Sequence, residues 1–253
     1  MTATSPQSIA SPEWARRPPN LAKAVTAELV RRVVRGDHPP GSTLPPEPVL
    51  GELFSVSRTV IREAVKVLQE KGLVQVRQGA GTMISPPVSW NMLDELVLAA
   101  VIAEDESLAV LDDVVVTRRL LESDMALVAA RTADEDTVER LGALVDRMDE
   151  LVHDLDAYHE HDRTFHDTIM RASGNRIARG VVRSLEKQVV DSADYMGATG
   201  VELCKASNRG HRRVFERIAA HDQAGASEAM FTHITEAWLV RRAPAGDPGR
   251  LER

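Results

Sequence analysis

The segment from Ser57 to Leu73, SRTVIREAVKVLQEKGL, constrains the fold more than any other part of the chain. Its apolar residues cover one broad arc of a helix, whereas Arg58 and Arg62 lie one turn apart at the edge of that arc. Ser57 is a suitable N-cap, and Gly72 supplies a C-terminal stop. The segment therefore predicts a helix that packs on one side and presents two arginines to solvent.

The sequence on either side of this helix predicts a winged helix-turn-helix. Two helices precede it, one from Leu21 to about Arg35 and a short one from about Pro46 to Phe54, with a Gly/Pro-rich loop between them. After it, LVQVRQ and TMIS alternate as strands do, and Gly79-Ala80-Gly81 joins them as a β-hairpin. This order of elements is typical of a helix-turn-helix domain with a wing.

From Pro86-Pro87 onward the periodicity is helical almost to the end of the chain. Helices are predicted near 90–103, 107–131, 134–153, 156–173, 176–195, 202–221 and 224–242. The fold class is therefore mainly α: an N-terminal winged helix-turn-helix with a small β-hairpin wing, then a C-terminal all-α bundle of about seven helices. The predicted boundaries are a flexible tail at 1–19, the winged helix-turn-helix at 20–86, the helical domain at 87–242 and a second tail at 243–253.

Charge is divided unevenly between these two parts. Residues 1–90 hold eleven Lys/Arg and seven Asp/Glu, whereas residues 91–253 hold twenty and thirty-one. A mildly basic N-terminal part followed by an acidic C-terminal part is typical of a DNA-binding module joined to a domain of another kind.

Other sequence features exclude several classes of protein. The N-terminus lacks the apolar core of a secretory signal, and the longest uncharged apolar run, Leu96 to Ala103, has eight residues and is too short to span a bilayer. The single cysteine, Cys204, excludes an intrachain disulfide framework. We therefore expect a cytoplasmic protein without membrane attachment.

The two arginines of the central helix point to nucleic acid. A helix that enters the major groove presents its N-terminal residues to the base edges, where Arg58 and Arg62 can reach guanine or phosphate. The alternative is that both arginines only form surface salt bridges, for example with Glu63 or Glu70.

Residues Pro39 to Ser85 resemble the DNA-binding domain of the GntR family of bacterial transcription regulators. The shared motifs, in register, are Pro-Pro-Gly…Leu-Pro-x-Glu, Val-Ser-Arg-x-x-x-Arg-Glu-Ala, Leu-x-x-x-Gly-Leu and a Gly-x-Gly wing. The resemblance implies that the residues touching DNA are Ser57, Arg58, Thr59 and Arg62, with Gln78 and Gly79 in the minor groove. One position departs from the family: an Arg that often contacts DNA is replaced by Pro48, which implies one contact fewer.

Four side chains of the helical part have the spacing of a metal site. Asp162 and His166 are four residues apart and project from one face of a helix. His211 and His233 each lie eleven residues from Asp222, so two antiparallel helices turning there would bring them to the same height. One carboxylate and three imidazoles suit a divalent ion such as Zn²⁺ or Ni²⁺, with positions left for water or an anionic ligand.

Spacing alone leaves open that these histidines are ordinary core or surface residues, and His159 lies on the same helix face as His166. However, Asp-x-x-Phe-His…Ser-Gly-Asn, followed by His211 and His233 in successive helices, resembles the FCD ligand-binding domain of FadR-type GntR regulators. Metal-binding members of that subfamily use one Asp and three His in this order. The resemblance thus implies the metal set Asp162, His166, His211 and His233.

Arg118 is the third notable feature, because it interrupts an apolar helix stripe. A buried guanidinium needs an anionic partner. That partner is either Glu122, one turn on, or the carboxylate of a ligand held bidentately. The segment TRRLLESDMALVAAR resembles the subfamily's helix whose Arg faces the pocket, which implies that Arg118 contacts the effector.

These observations favour a transcription regulator over an enzyme. We expect a homodimer, most simply a repressor, that binds a palindromic operator and is controlled by a small carboxylate at the metal site. The segment from Trp90 to Asp94 resembles relatives that respond to sugar acids. Two alternatives stay open: a metal-dependent hydrolase-like enzyme, and a regulator for which the metal ion itself is the signal.

Overall fold

A computed structural model of the chain describes residues 21–189 and 200–242. The chain divides into two compact units, and the boundary between them in the sequence lies between Asn91 and Met92. The predicted fold class is confirmed: the described residues are mainly helical and contain one two-stranded hairpin. The predicted tails at 1–19 and 243–253 lie outside the described residues, as does the end of the helix predicted at 176–195.

The N-terminal unit is a three-helix domain with a β-hairpin. Its elements are α1 (Leu21–Arg35), α2 (Glu47–Leu53), α3 (Arg58–Glu70), β1 (Val74–Arg77) and β2 (Gly81–Ile84). The strands pair antiparallel from Val74 opposite Ile84 to Arg77 opposite Gly81. Helices α1 and α3 pack together through fully buried aliphatic side chains, among them Leu29, Ile61 and Leu68. The core therefore holds one face of α3 and leaves the other face exposed.

Both ends of α3 are fixed by local chemistry. The Ser57 hydroxyl accepts a hydrogen bond from the backbone N–H of Val60 at 3.4 Å, as expected of an N-cap. Gly72 has φ +77°, and a Cβ at this position would collide with the carbonyl oxygen of Ser89. Glycine is thus required at the end of α3 for both its backbone conformation and its lack of a side chain.

The C-terminal unit is an all-helical bundle, and its described residues form seven helices. These are α4 (Glu95–Ala103), α5 (Ala109–Thr132), α6 (Glu135–Glu150), α7 (Leu155–Ala172), α8 (Arg176–Val189), α9 (Val201–Ala219) and α10 (Gln223–Arg242). Helix α4 begins later than the predicted position near 90, because the Asp94 carboxylate accepts hydrogen bonds from the N–H groups of Leu96 and Val97 and so caps the helix there. Among the described helices, none combines the length and apolar character needed to cross a bilayer.

Helix α5 lies at the centre of this bundle and packs most extensively against α10. Most of its buried residues are apolar, but its buried surface also carries charged residues, namely Asp112, Arg118, Arg119 and Glu122. Charges in such positions require partners on neighbouring helices. The partners that α5 finds therefore fix how the surrounding helices pack.

One of these charges attaches the end of α10 to the start of α5. The carboxylate of Asp112 accepts hydrogen bonds from Arg242 at 2.7 and 2.8 Å and from the Trp238 indole N–H at 2.8 Å. All three side chains are less than a tenth exposed. Sequence periodicity assigned no role to this group, because its members are 126 and 130 residues apart.

Replacing Asp112 with Ala should destabilise the helical bundle by about 3–5 kcal/mol, because the buried guanidinium of Arg242 loses its carboxylate partner. This corresponds to a fall of roughly 6–20 °C in Tm for a domain of this size. Differential scanning calorimetry of the full chain measures the change. Asp113→Ala, at the exposed neighbouring position, is the matched control and should cost less than about 1 kcal/mol. Equal effects of the two substitutions would contradict the assigned role.

Candidate functional site

Three buried histidines from three helices converge in the C-terminal unit. His166 lies on α7, His211 on α9 and His233 on α10, and one ring nitrogen from each lies within 4.8 Å of the other two. The Nε2 atoms of His166 and His233 are 3.3 Å apart. Asp162, one turn before His166, places its Oδ1 3.1 Å from Nε2 of His211. The structure thus brings together all four residues that the sequence singled out as metal ligands, and their role as ligands stays a prediction.

The outer nitrogens of two rings are held by other side chains. Nδ1 of His166 donates to Oε2 of Glu122 at 2.6 Å, and Nδ1 of His211 lies 3.3 Å from Oδ1 of Asn208. Asn208 is oriented in turn by donating its amide to the Val145 carbonyl at 2.9 Å. With the proton on Nδ1, each Nε2 directs a lone pair to the common centre.

The donor atoms fit a divalent cation better than they fit one another. Nε2 of His211 is buried and makes no well-aligned hydrogen bond with the described residues, although Asp162 is close. Two imidazole nitrogens bound to one tetrahedral Zn²⁺ lie roughly 3.3 Å apart, which matches the spacing between His166 and His233. Buried imidazole nitrogens that converge in this way are groups that a cation satisfies.

The electrostatics keep the ligand set in the form that metal binding requires. Burial lowers the pKa of His211, and burial together with the neighbouring imidazoles lowers the pKa of His233 well below its usual value, so both rings are neutral. Burial by itself raises the pKa of the Asp162 carboxyl, but its contact with His211 and the charges around it lower the pKa well below its usual value. The group therefore offers one carboxylate and two neutral imidazoles, whereas for His166 burial lowers the pKa but the Glu122 carboxylate outweighs it and raises the pKa.

A mid-helix glycine allows α9 and α10 to approach each other at this centre. A Cβ on Gly210 would collide with the ring of His233, whose centroid lies 4.2 Å from that of His211. Glycine within a helix is unfavourable by roughly 1 kcal/mol relative to Ala, so its presence beside His233 serves the close approach of the two helices.

Arg118 reaches the same region from α5. Its Nε donates to Glu122 Oε1 at 2.8 Å, and an Nη donates to Glu186 Oε1 at 2.8 Å. Glu122 is the internal partner that the sequence left open as an alternative, and Glu186 is a second one. Burial raises the pKa of Glu122, but Arg118 and His166 outweigh it and lower the pKa to about 2. Contact between Arg118 and an effector stays a prediction.

A small polar cavity opens beside the histidines. It has a volume of about 70 Å³, and its polar lining includes Arg118, His159, Asp162, Arg163, His166 and Glu186. Helices α5, α7, α8, α9 and α10 all contribute to its wall. A small anion that entered this cavity would meet cationic side chains and the ligand set together.

The N-terminal unit presents the predicted DNA contacts on its surface. Ser57, Arg58, Thr59 and Arg62 at the start of α3, and Gln78 and Gly79 at the hairpin turn, are all exposed. Gly79 has φ +80°. Arg62 donates to the carboxylate of Glu47, at 3.3 Å from Nε and 3.1 Å from an Nη. The alternative role of the arginines was a surface salt bridge, for example with Glu63 or Glu70. Arg62 forms such a salt bridge, but its partner is Glu47 of α2.

Comparison with known proteins agrees with both units. Residues 21–84 match the gntR family of bacterial regulatory proteins, and residues 113–236 match the FCD domain. The uncharacterised HTH-type transcriptional regulator YieP of Escherichia coli K12 is 35% identical over 158 residues, 62% of this chain and 69% of that protein. The chain belongs to the gntR family of bacterial regulatory proteins. It carries the FCD domain that the resemblance implied, and its relatives are transcriptional regulators rather than enzymes.

Two further matches cover nearly the whole chain. The galactonate operon transcriptional repressor of E. coli K12 is 27% identical over 218 residues, 85% of this chain and 94% of that protein. The solved structure of Lar, described as controlling expression of the Listeria monocytogenes agr system, superposes with a TM-score of 0.59 at 19% identity and covers 90% of this chain and 99% of Lar. The latter likeness supports the fold alone.

Several site residues had not been identified from the sequence. Asn208 precedes His211 by three residues on one helix face, and Gly210 is a glycine within a helical pattern, so both left a local signal. Glu186 and the contact of Glu122 with His166 left none, because they join helices distant in the chain.

Gly210→Ala should lower Zn²⁺ affinity at least about tenfold, because the new methyl group displaces the His233 ring, and changes around a metal ligand typically cost 10–100-fold. Competition titration against a chromophoric chelator measures the affinity, and circular dichroism confirms folding. Gly180→Ala is the matched control, since a Cβ there meets nothing within 4 Å. Unchanged Zn²⁺ affinity in Gly210→Ala would contradict a site at His233.

Arg58→Ala and Arg62→Ala should each weaken binding to a specific duplex by about 1–3 kcal/mol, roughly 5–150-fold, if each contacts a base edge. The duplex can be obtained by selecting bound sequences from a random library, and fluorescence anisotropy measures the affinity. Lys23→Ala removes the same charge from the exposed surface of α1 and should have a smaller effect. Retained discrimination between the selected and scrambled duplexes in both Arg variants would rule out base reading.

Proposed function

We propose that this gntR-family regulator is a homodimeric repressor of a palindromic operator, controlled by a small organic acid at a divalent metal site in the FCD domain. The observation that carries the proposal is the convergence of His166, His211 and His233 on one point beside a cavity that also holds Arg118. The relative named as a galactonate operon repressor supports the repressor role and control by an organic acid.

The four groups that would hold the cation are Asp162, His166, His211 and His233, and Zn²⁺ or Ni²⁺ suits their three nitrogens and one oxygen. A bound divalent cation supplies positive charge and open coordination positions for an oxyanion. The chain itself supplies the arginine fork, since Arg118 lies in the cavity wall and can hold a carboxylate in bidentate fashion.

The carboxylates that Arg118 binds in this structure provide a way to sense the acid. An incoming carboxylate competes for the same guanidinium, and Glu186 is the partner on a different helix, α8. Displacing Glu186 would remove the ion pair between α8 and α5, in addition to which the two helices pack through apolar side chains. A ligand shifts an equilibrium only by contacts that differ between the two states, and this exchange is such a contact.

Helix α8 is also bonded to the first residues of the C-terminal unit. The Ser184 hydroxyl donates to the Leu93 carbonyl at 3.3 Å, and Lys187 pairs with Glu95 at the start of α4. Leu93 and Glu95 follow closely on the boundary between the units at Asn91 and Met92. A change in α8 would therefore act on the segment that leads to the DNA-binding unit. In a dimer, the two DNA-binding units must match the fixed spacing of the two operator half-sites, so a small shift would weaken binding.

Titrating the operator complex with metal and acid tests this function. With Zn²⁺ or Ni²⁺ present, a set of small hydroxy and oxo acids should include one that lowers operator affinity at least about fivefold, the lower end of ordinary allosteric coupling. A variant carrying His166→Ala and His211→Ala should bind the operator but lose this response. Replacing Ser184 and Lys187 with Ala and Met should preserve acid binding while reducing its effect on the operator.

The same titration separates the alternatives. Metal alone controlling operator affinity, with no effect of any acid, would favour a pure metal sensor and contradict an acid-controlled regulator. Turnover of esters or carboxylates by the metal-loaded chain would favour the enzyme.

A further inference from the structure

A second cavity adjoins the polar cavity beside the histidines. The two share His159, Ser207, His233, Ala237 and Arg241 in their walls, so they lie on either side of the same group of residues. The second, here called the side cavity, has a volume of about 240 Å³, compared with about 70 Å³ for the polar cavity. The polar cavity is too small for more than the acid group of a ligand, and the side cavity is the neighbouring space that can take its remaining atoms.

The side cavity is mainly apolar. Its other lining residues are chiefly Tyr158, Leu203, Cys204, Ala206 and Val240. The Tyr158 hydroxyl is used internally, because it donates to the Cys204 carbonyl at 2.9 Å, and burial raises the pKa of both Tyr158 and Cys204, so neither side chain carries charge into the cavity. Glu236, at its edge, is paired with Arg213 at 2.8 Å.

Size and polarity together select a class of ligand. An engineered apolar cavity of about 150 Å³ accommodates a benzene molecule, so this volume suffices for an aromatic ring or a branched chain of comparable size. The hydroxyl groups of a sugar acid would lose water here without finding partners, which costs free energy for each group buried. The cavity therefore disfavours the sugar acids suggested by the sequence.

His159 lines both cavities, and one of its ring nitrogens makes no hydrogen bond with the described residues. Its Nε2 is buried and has no hydrogen-bond partner within the described ranges 21–189 and 200–242. Nearly all buried polar atoms in proteins are hydrogen-bonded, and those at a ligand site are commonly satisfied by the ligand. A hydroxyl or oxo group next to the carboxylate would reach this nitrogen at the junction.

We infer that the effector is a 2-hydroxy or 2-oxo carboxylic acid with an apolar substituent. Its carboxylate occupies the polar cavity, its neighbouring oxygen contacts His159, and its apolar substituent fills the side cavity. This inference rests on the proposed function, since it assigns a chemical class to the acid that the same site would bind.

Isothermal titration calorimetry on the Zn²⁺-loaded full chain tests the class, using lactate, 3-phenyllactate, 3-phenylpropionate and galactonate as probes. Each buried apolar carbon favours binding by roughly fourfold. Because the side cavity is partly open, we expect 3-phenyllactate to bind at least about tenfold more tightly than lactate or galactonate. Tightest binding of galactonate or lactate would overturn this inference and leave the proposed function intact. Failure of all four acids to bind would overturn this inference, whereas acid control of the operator would still be decided by the separate titration.

Substitutions locate the two contacts. His159→Phe should lower the affinity for 3-phenyllactate about three- to tenfold, the effect of one hydrogen bond, and leave that for 3-phenylpropionate, which lacks the 2-hydroxyl, nearly unchanged. Equal losses for both acids would overturn the contact at His159.

The side cavity is tested at two neighbouring residues of α10, Val240 and Leu239. Both are exposed, at 47% and 38%, but only Val240 is among the residues that line the side cavity. Val240→Asn should therefore weaken binding of 3-phenyllactate at least about threefold more than it weakens binding of lactate, whereas Leu239→Asn should affect neither acid. The same loss for both variants would overturn the placement of the substituent.

Discussion

The buried carboxylate of Glu122 holds together the charged groups on which the C-terminal bundle depends. One oxygen accepts from Arg118 in its own helix, and the other accepts from His166 across the interface with α7. An uncompensated charge at such depth would cost several kcal/mol, so each of the three groups requires the others. The same carboxylate binds the outer nitrogen of His166. The contact that joins α5 to α7 therefore also orients the His166 ring toward the common centre.

Local spacing accounts for how much of this site could be predicted from the sequence. Helical periodicity placed Asp162 and His166 on one helix face, and an antiparallel pair of helices turning near Asp222 placed His211 and His233 at the same height. The relation of one pair to the other depends on which sides of α7, α9 and α10 meet, and that follows from packing of the whole bundle. The resemblance to FCD domains supplied this step, which periodicity could not.

The N-terminal unit shows the same limit at a single residue. The sequence offered Glu63 and Glu70 as salt-bridge partners for the arginines because they lie on the same helix, but the adjacent Glu63 does not face Arg62. The turn between α2 and α3 instead brings Glu47 to Arg62. An exposed pair of this kind contributes little stability, so Arg62 could exchange Glu47 for DNA at small cost.

The two partners of Arg118 differ in how readily a ligand would replace them. Glu122 is held by two donors, and its pKa is lowered to about 2, so its charge is fully compensated where it lies. Glu186 is held through Arg118, and burial raises its pKa, which means that its ionised form is disfavoured in place. A carboxylate entering the polar cavity would therefore displace Glu186 rather than Glu122. The ion pair that would be lost belongs to α8, the helix whose Ser184 hydroxyl donates to the Leu93 carbonyl near the start of the C-terminal unit. In the proposed mechanism, the binding of one anion would break the ion pair between α5 and α8 and so change the contacts of α8.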